Sequence, residues 1–431
     1  MKRLIENVYW PIVVLIILQQ YVSSEIFWLL GFMMCIYEVV KNRGLFYIPF
    51  AEYKKLFIFL PWGIFIGILG ICQGKIETVD LIRDVFYYIN PLIFLFVGAC
   101  FAKREIEIYQ ILNSFIISSA VVCLIKDINI ISNIGSLSAA LSVYKWRKLV
   151  GDGQVVTGVA LAITLANIIP STNRLPKLIF TLSTLLSASY FIISMSRTNI
   201  LIVAILYVTL LLQKGATKKL LSKIGIGVLI VMIVIVAAEY ILPKEIATAF
   251  TDKMIGSFSE INSSQSWSNI TEIQSNWRGY ETNCAVEQWK EENILFQLIG
   301  EGFGKRVEVG KYAYSLLGQV TGDGRPATSI AVLHNGYASQ LIKLGLLGVI
   351  AYLLFYFSII IKALKHRKKK DTLEARLLLG VGSVFLLQTY FLNGLFKDYV
   401  FLPTVLLIGY TGYKIERNED FISLEEKNKE A

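Results

Sequence analysis

One of the two histidines in this chain lies where a long polar segment meets an apolar run, and histidine exchanges a proton near neutral pH. At helical spacing the face of His334 carries small and apolar residues, which are Ala338, Leu341, Gly345 and Gly348. We therefore expect the imidazole at the mouth of a closely packed pair of helices. A histidine that only hydrogen-bonds among lipid headgroups is the alternative, and the sequence leaves both open.

An arginine between aromatic residues forms a second candidate site, at Trp277, Arg278 and Tyr280. A guanidinium fork holds a phosphate through two hydrogen bonds, while an aromatic ring packs against a sugar or a lipid. We therefore expect Trp277 and Tyr280 to contact substrate beside Arg278. A surface cation without a ligand is the alternative for this arginine.

Glycines alternate with other residues further along the same polar segment, at Gly302 and Gly304. Glycine permits tight turns whose backbone amides approach a ligand, so we expect both glycines in a substrate-binding loop. Asn335 and Tyr337, next to His334, are assigned to the same loop. The pattern lacks the strand and helix that surround it in nucleotide-binding folds.

A third arginine, Arg197, lies between two apolar stretches with almost no loop to carry it into water. An arginine at membrane depth is costly and commonly functional, although its long side chain can also extend to the headgroups. Arg147 lies in a basic and aromatic run, for which simple contact with lipid phosphates is the favoured interpretation.

The elements that position these residues follow from composition. The chain has 431 residues, of which 55% are hydrophobic and 17% charged, and its mean hydropathy is +0.58. This hydrophobic fraction exceeds what the core of a soluble protein needs, and the long apolar runs favour membrane helices over a barrel. We predict an all-α polytopic membrane protein.

About twelve transmembrane helices are predicted from apolar runs of sufficient length. They lie at 8–22, 26–40, 56–72, 85–102, 106–125, 155–170, 177–194, 198–213, 224–242, 334–362, 375–393 and 399–414. The chain thus divides into spans one to nine (1–242), a large loop or lid (243–333), spans ten to twelve (334–414) and a tail (415–431). The loop contains a predicted amphipathic helix at 280–297.

Lysine and arginine concentrate in alternate connections, as at 365–370, so the net charge of +10 sets membrane orientation rather than nucleic-acid binding. Both termini are predicted to be cytoplasmic. The other histidine, His366, lies in such a basic run and is expected to be solvated. Of the five cysteines only Cys284 lies in the large loop, so neither a loop disulfide nor a metal site is predicted.

Arginines on the outer face run against the positive-inside bias. The predicted orientation places Arg147, Arg197 and Arg278 there, together with Arg325. Their clustering calls for an anionic ligand, and a lipid-linked diphosphate is the natural candidate.

At this point the sequence resembles the O-antigen ligase/polymerase family of bacterial membrane glycosyltransferases. The resemblance covers roughly residues 140–350, the predicted spans and the loop between spans nine and ten. The motifs that carry it are Ser196-Arg197-Thr198, Arg278 followed by the glycines at 300–304, and His334 to Tyr337 ahead of Gly345 and Gly348.

The resemblance implies transfer of a glycan from undecaprenyl diphosphate to an acceptor hydroxyl outside the bacterial inner membrane, without cofactor, metal or nucleotide sugar. His334 would be the base and Glu301 the second candidate for that role. Arg197 and Arg278, assisted by Arg325, would neutralise the leaving diphosphate.

The sequence does not identify the acceptor of the glycan. A polymerase of O-antigen, capsule or exopolysaccharide, which acts on a second lipid-linked repeat unit, is favoured over a ligase that acts on a terminal lipid or protein. A chain-length regulator and a flippase are possible partners of either enzyme, beside membrane lipid. A flippase or transporter is a further alternative, opposed by the few charges within the predicted spans. A purely structural partner would leave the arginines unexplained.

Overall fold

The computed structural model describes residues 5–41, 50–137, 155–194, 196–212, 270–318, 325–396 and 402–430, and single positions 43, 225, 248, 267 and 320. Arg147 lies outside the described residues. So do all but single positions of the predicted ninth span and of the loop up to residue 269. Only the backbone is described at 134–137, Arg197, Thr271, Ser275 and 419–430.

The described residues are mostly helical, with two strands of two residues each, as expected for an all-α protein. The first helices are α1 (Trp10–Leu18), α2 (Ser24–Lys41), α3 (Tyr53–Phe57), α4 (Phe59–Cys72), α5 (Thr78–Lys103), α6 (Ile108–Leu137), α7 (Val155–Ala166), α8 (Lys177–Ser194) and α9 (Arg197–Leu211). There follow α10 (Ile270–Ser275), α11 (Trp277–Glu291), α12 (Ile294–Ile299), β1 (Val307–Glu308), α13 (Tyr312–Leu317) and β2 (Ser329–Ile330). The last are α14 (Gly336–Lys369), α15 (Leu373–Leu392) and α16 (Leu402–Glu430).

Within the described part of the chain, six helical segments are long and apolar enough to cross a membrane. They are Tyr53–Cys72, Thr78–Lys103, Ile108–Asn133, Lys177–Ser194, Gly336–Lys369 and Leu373–Leu392. Shorter apolar helices occupy Val155–Ala166 and Thr198–Leu211, where the sixth and eighth spans are predicted. A helical membrane protein is therefore supported, and the number twelve stays a prediction.

The fourth predicted span begins too late. Its helix, α5, starts at Thr78 instead of residue 85, so it includes Asp80, Arg83 and Asp84. Hydropathy excluded this turn because it is charged. Its two carboxylates, however, are paired with residues more than 200 positions away, and Arg83 pairs with both of them. Charged residues within a helical span are tolerated when such partners exist.

The bundle has two distinct ends. At the His334 end, the start of α14 packs on the residue after α15, because the backbone of Asn393 lies against Gly336. At the other end, called the basic end, Arg367 of α14 donates to the carbonyl of Leu212 after α9 at 2.9 Å. Helix α5 begins at the His334 end and packs along α16, α2 and α4.

His366 is fully buried, so the prediction of a solvated side chain was wrong. The basic run does not leave the helix but continues α14 to Lys369. His366 therefore stays on the same face as the buried Ala363 and Ile359, three and seven residues earlier.

Candidate functional site

The described end of the large loop is an ordered unit at the His334 end. The helix predicted at 280–297 is found as α11, which ends at Glu291, followed by the separate α12. Asn276 starts α11 by accepting the amide of Gly279 at 3.2 Å. A small apolar core that includes Ala285, Val307 and Leu333 holds α11 against the strand pair and the start of α14.

That packing brings a carboxylate to His334. Both carboxylate oxygens of Glu281 lie 3.1 Å from Nδ1 of the ring, and the backbone amide of His334 donates to the same carboxylate. Glu281 is fully buried, while 33% of the His334 side-chain surface is exposed. Because a carboxylate accepts from both donors, Nδ1 carries the proton and Nε2 is the nitrogen available to a ligand.

Sequence reasoning missed Glu281. The available signal was its spacing, since it follows Arg278 by three residues within the predicted loop helix. On a helix such residues are neighbours, with Cβ atoms about 5–6 Å apart. The structure thus places Glu281 on His334 and the partly buried Arg278 one turn before Glu281 on α11.

The structure describes the other arginines predicted to bind a diphosphate in less detail. Arg325 is exposed and precedes β2. Arg197 is the first residue of α9, and Ser196 caps that helix by accepting the amide of Asn199 at 3.4 Å. The arrangement of the Arg197 side chain lies outside the described residues, as does Arg147, so their part in the site stays a prediction.

The aromatic residues of the loop pack on one another. The ring of Tyr280 lies 5.7 Å from that of Trp277 and 5.5 Å from those of Trp267 and Tyr312. Its hydroxyl donates to the carbonyl of Val309 at 3.2 Å, and burial raises the pKa of Tyr280. In the structure Tyr280 thus braces α11, the helix that holds Glu281 and Arg278.

Asn335 and Tyr337 position His334 through the start of α14. The side chain of Asn335 accepts the amides of Tyr337 and Ala338 at 3.0 and 3.2 Å, which makes it the cap of the helix. The hydroxyl of Tyr337 donates to the carbonyl of Leu386 on α15 at 2.7 Å. Both residues were assigned to the substrate loop, and in the structure the polar groups of both side chains bond within the protein.

The glycine segment enters the bundle instead of forming an open loop. Gly302 and Gly304 have φ values of +93° and +92°, and a Cβ on Gly302 would overlap with the backbone of Gly67 in α4. The amide of Gly302 donates to the carbonyl of Lys343 at 2.9 Å, and that of Gly304 to Asp84 at 2.6 Å. The amides expected to bind a ligand therefore hold the segment between α4, α5 and α14.

Helix α14 bends to receive this segment. Gly345 has φ +67° and ψ −170° within the helix, and a Cβ there would overlap with the backbone of Leu298. Gly300 faces the same turn from the other side, against Lys343 and Leu344. The glycines that the resemblance groups together thus meet across one close backbone contact.

Glu301, the second candidate base, belongs to a different group. Its carboxylate pairs with Lys305, and burial raises its pKa although Lys305 and Gln288 oppose the shift. Gln288 lies seven residues after Glu281 on α11, a rise of about 10 Å. His334 and Glu301 therefore interact with different turns of α11.

A buried ion network that sequence reasoning also missed ties the loop to the bundle. Nζ of Lys343 lies 2.8 Å from Asp84 and donates to the carbonyl of Ala331 at 3.2 Å. Ala331 is three residues before His334, so this network lies next to the Glu281 and His334 pair along the chain. Its signal in the sequence was a charged turn directly ahead of an apolar span.

The outer part of the network is built on Asp80. Its carboxylate lies 2.5 Å from Nη1 of Arg83 and 3.3 Å from Nη1 of Arg306. Arg306 is itself fixed by Ser329, whose hydroxyl accepts from Nε at 2.9 Å. The carboxylate of Asp80 thus joins α5 to the segment of Arg306, and Arg306 in turn contacts the strand residue Ser329.

In the described part of the chain, no group of three or more histidine, cysteine and acidic residues is placed to hold a metal ion. The chain matches no model of a known protein family. No curated protein matches it either.

Proposed function

We propose that this protein is a member of the O-antigen ligase/polymerase family and polymerises a surface polysaccharide on the outer face of the bacterial inner membrane. It transfers a glycan from undecaprenyl diphosphate to a hydroxyl of a second lipid-linked repeat unit. The observation that carries the proposal is the buried Glu281 carboxylate on Nδ1 of His334, with Arg278 one turn away.

The pair supports general-base chemistry. Nε2 of His334 accepts the proton of the acceptor hydroxyl, while the hydroxyl oxygen forms a bond to the anomeric carbon of the donor. The bond from that carbon to the diphosphate breaks, and its electron pair leaves with the diphosphate. Glu281 stabilises the imidazolium that forms, and solvent then takes the proton from Nε2.

The diphosphate leaving group gives Arg278 its proposed role. Negative charge grows on the diphosphate as the glycosidic bond breaks, and a cation beside it stabilises that transition state. Arg278, one turn before Glu281 on α11, is proposed to supply such a cation, with Arg197 and Arg325 assisting it. This chemistry uses no metal and no nucleotide sugar.

A flippase or transporter remains the alternative that the structure makes more serious. The main argument against a flippase was that few charges lie within the predicted spans. The structure, however, has four charged residues in helices long enough to cross a membrane, namely Asp80, Arg83, Asp84 and Lys343. Charged residues inside membrane helices commonly mark transport pathways. Pairing of all four charges within one network favours a fixed role over transport.

The proposal is tested in a strain that lacks the chromosomal copy. Expression of His334→Ala or Arg278→Lys at wild-type abundance is expected to shorten the surface glycan, because each removes one group of the site and the lysine loses the bidentate fork. Lys290→Ala, on the exposed side of α11, is the matched control and should leave long chains. Long chains in His334→Ala would refute the base assignment.

A further inference from the structure

The short helix α12 of the large loop carries an exposed apolar face. Ile294, Leu295 and Leu298 are 76%, 60% and 40% exposed. Their spacing places all three side chains on one side of the helix. A single exposed leucine needs no explanation, whereas a cluster of large apolar side chains marks contact with an apolar partner.

Helix α12 packs against the apolar part of α14. The backbone of Leu298 lies against Gly345, which is near the start of an uncharged run from 344 to 361. That run is the part of α14 that suits the hydrocarbon layer of a membrane. Two residues after Gly345, Leu347 is itself more than half exposed. The apolar face of α12 is therefore next to a surface of α14 that also suits lipid.

Helix α4 gives α12 a second contact at a similar depth. The carbonyl of Ile299, the last residue of α12, accepts from Nε1 of Trp62 at 3.1 Å. Trp62 lies in the middle of Tyr53–Cys72, which is long and apolar enough to cross a membrane. Phe65, one turn further along α4, is more than half exposed. The end of α12 thus lies beside two candidate spans and level with their apolar surfaces.

The backbone of α12 is bonded in the way that an apolar environment requires. Within hydrocarbon each backbone polar group needs a partner inside the protein. At the start of α12, the side chain of Asn293 accepts the amide of Phe296 at 3.1 Å. At its end, the carbonyl of Phe296 accepts the amide of Gly300 at 2.7 Å, and that of Gln297 accepts from the ring of Trp289 at 2.9 Å. Tryptophan is enriched where membrane meets water.

We infer that α12 lies in the apolar layer of the membrane leaflet at the His334 end, where Ile294, Leu295 and Leu298 contact lipid acyl chains. The large loop is therefore re-entrant at α12 and is anchored by the bilayer. Because α12 follows α11, which carries Glu281, this anchor also holds the carboxylate that positions His334. The inference goes beyond the proposed function and holds for any reaction at that site.

The test is photolabelling of the purified wild-type protein in phosphatidylcholine vesicles by a lipid with a diazirine in its acyl chain. On illumination the diazirine loses nitrogen, and the resulting carbene inserts into bonds of neighbouring side chains. Trypsin cleaves after lysine and arginine, so α12 lies in peptide 291–305 and most of α11 in peptide 279–290. We expect adducts on the side chains of α12 and none on peptide 279–290.

The apolar peptide 56–75, which contains the exposed Phe65, is the positive control. An unlabelled peptide 291–305 beside a labelled peptide 56–75 would overturn the inference. So would adducts confined to Glu291 and Glu292, which precede α12, or equal labelling of 291–305 and 279–290.

Two cysteine variants compare lipid with water at neighbouring positions of similar exposure. Lys290→Cys and Leu295→Cys replace side chains of residues that are 56% and 60% exposed. In lipid nanodiscs a membrane-impermeant maleimide should react at position 295 about tenfold more slowly than at position 290, because apolar surroundings suppress the thiolate. Peptide mass spectrometry distinguishes each position from the five native cysteines. Equal rates would show that α12 faces water and overturn the inference.

Discussion

Nδ1 of His334 lies 3.1 Å from both carboxylate oxygens of Glu281, a residue 53 positions earlier on a different helix. The carboxylate is fully buried and also accepts the backbone amide of His334. One side chain thus fixes the ring, its tautomer and the start of the segment that enters α14.

Glu281→Gln is expected to lower kcat about 10²-fold with little change in KM, because an amide neither fixes the tautomer nor stabilises the imidazolium. Glu281 acts through His334, so the loss should be in turnover rather than in substrate binding. Glu287→Gln, an exposed carboxylate on the same helix, is the control. Steady-state kinetics with a purified lipid-linked repeat unit measures both constants, and an equal rise in KM would indicate a merely structural role.

Gly302→Ala is expected to prevent normal folding, because the added Cβ meets the backbone of Gly67 at a positive φ. Gly310→Ala is the matched control, since its φ is +61° and nothing lies within 4 Å of the added atom. The control should lose only about 1 kcal/mol of unfolding free energy from backbone strain. Folded yield and thermal unfolding in detergent compare the two, and equal behaviour would argue against the close contact with α4.

Lys343→Met is expected to destabilise the protein by about 3 kcal/mol, because the buried carboxylate of Asp84 loses its close cation and keeps only Arg83, at 3.6 Å. Adding Asp84→Asn should restore much of the loss, since the amide oxygen can still accept from Gly304. Lys290→Met removes an exposed pair with Glu287 and should change stability by less than about 1 kcal/mol. Denaturant unfolding gives the values, and additive losses in the double variant would contradict coupling between the two residues.

The pKa of Glu301, raised by burial above its ordinary value of 4.5, predicts a pH dependence of stability. Below 4.5 the carboxyl is protonated in both states. As the pH rises further, the unfolded chain releases this proton first, so the unfolding free energy falls until the folded carboxyl has also ionised.

Glu301→Gln lacks this titration and should lose less stability over the same rise in pH. Thermal unfolding midpoints measured from pH 4 upward test the difference, with Glu291→Gln as an exposed control. Identical slopes in the wild type and Glu301→Gln would show that Glu301 contributes nothing to the pH dependence.

Sequence patterns were sufficient for features that depend on neighbouring residues. Apolar run length predicted the helical membrane class and the approximate position of each described span. Helical spacing placed Gly345 on one continuous face with His334, whereas the backbone is non-helical at Gly345. Glycine alternation at Gly302 and Gly304 correctly indicated a close backbone approach. It did not indicate that the approached partner is α4 rather than a ligand.

Features that depend on pairing across the chain were not predictable in this way. Glu281 and His334 are 53 residues apart, and Asp80 and Arg306 are 226 apart, so no local period connects them. Hydropathy even excluded Asp80 from its helix, because it weighs each charge as though it faced lipid alone. Only the folded chain shows that these charges are neutralised by distant partners.

The most direct test of the proposed function is lengthening of a purified undecaprenyl-diphosphate-linked repeat unit by the purified full-length protein in detergent. We expect the wild type to produce a ladder of longer lipid-linked glycans with a chelator present and without nucleotide sugar. His334→Ala and Glu281→Gln should bind the substrate but produce almost no ladder. A wild-type ladder from His334→Ala would contradict the proposed role of this histidine, and its absence from the wild type would contradict the proposed function itself.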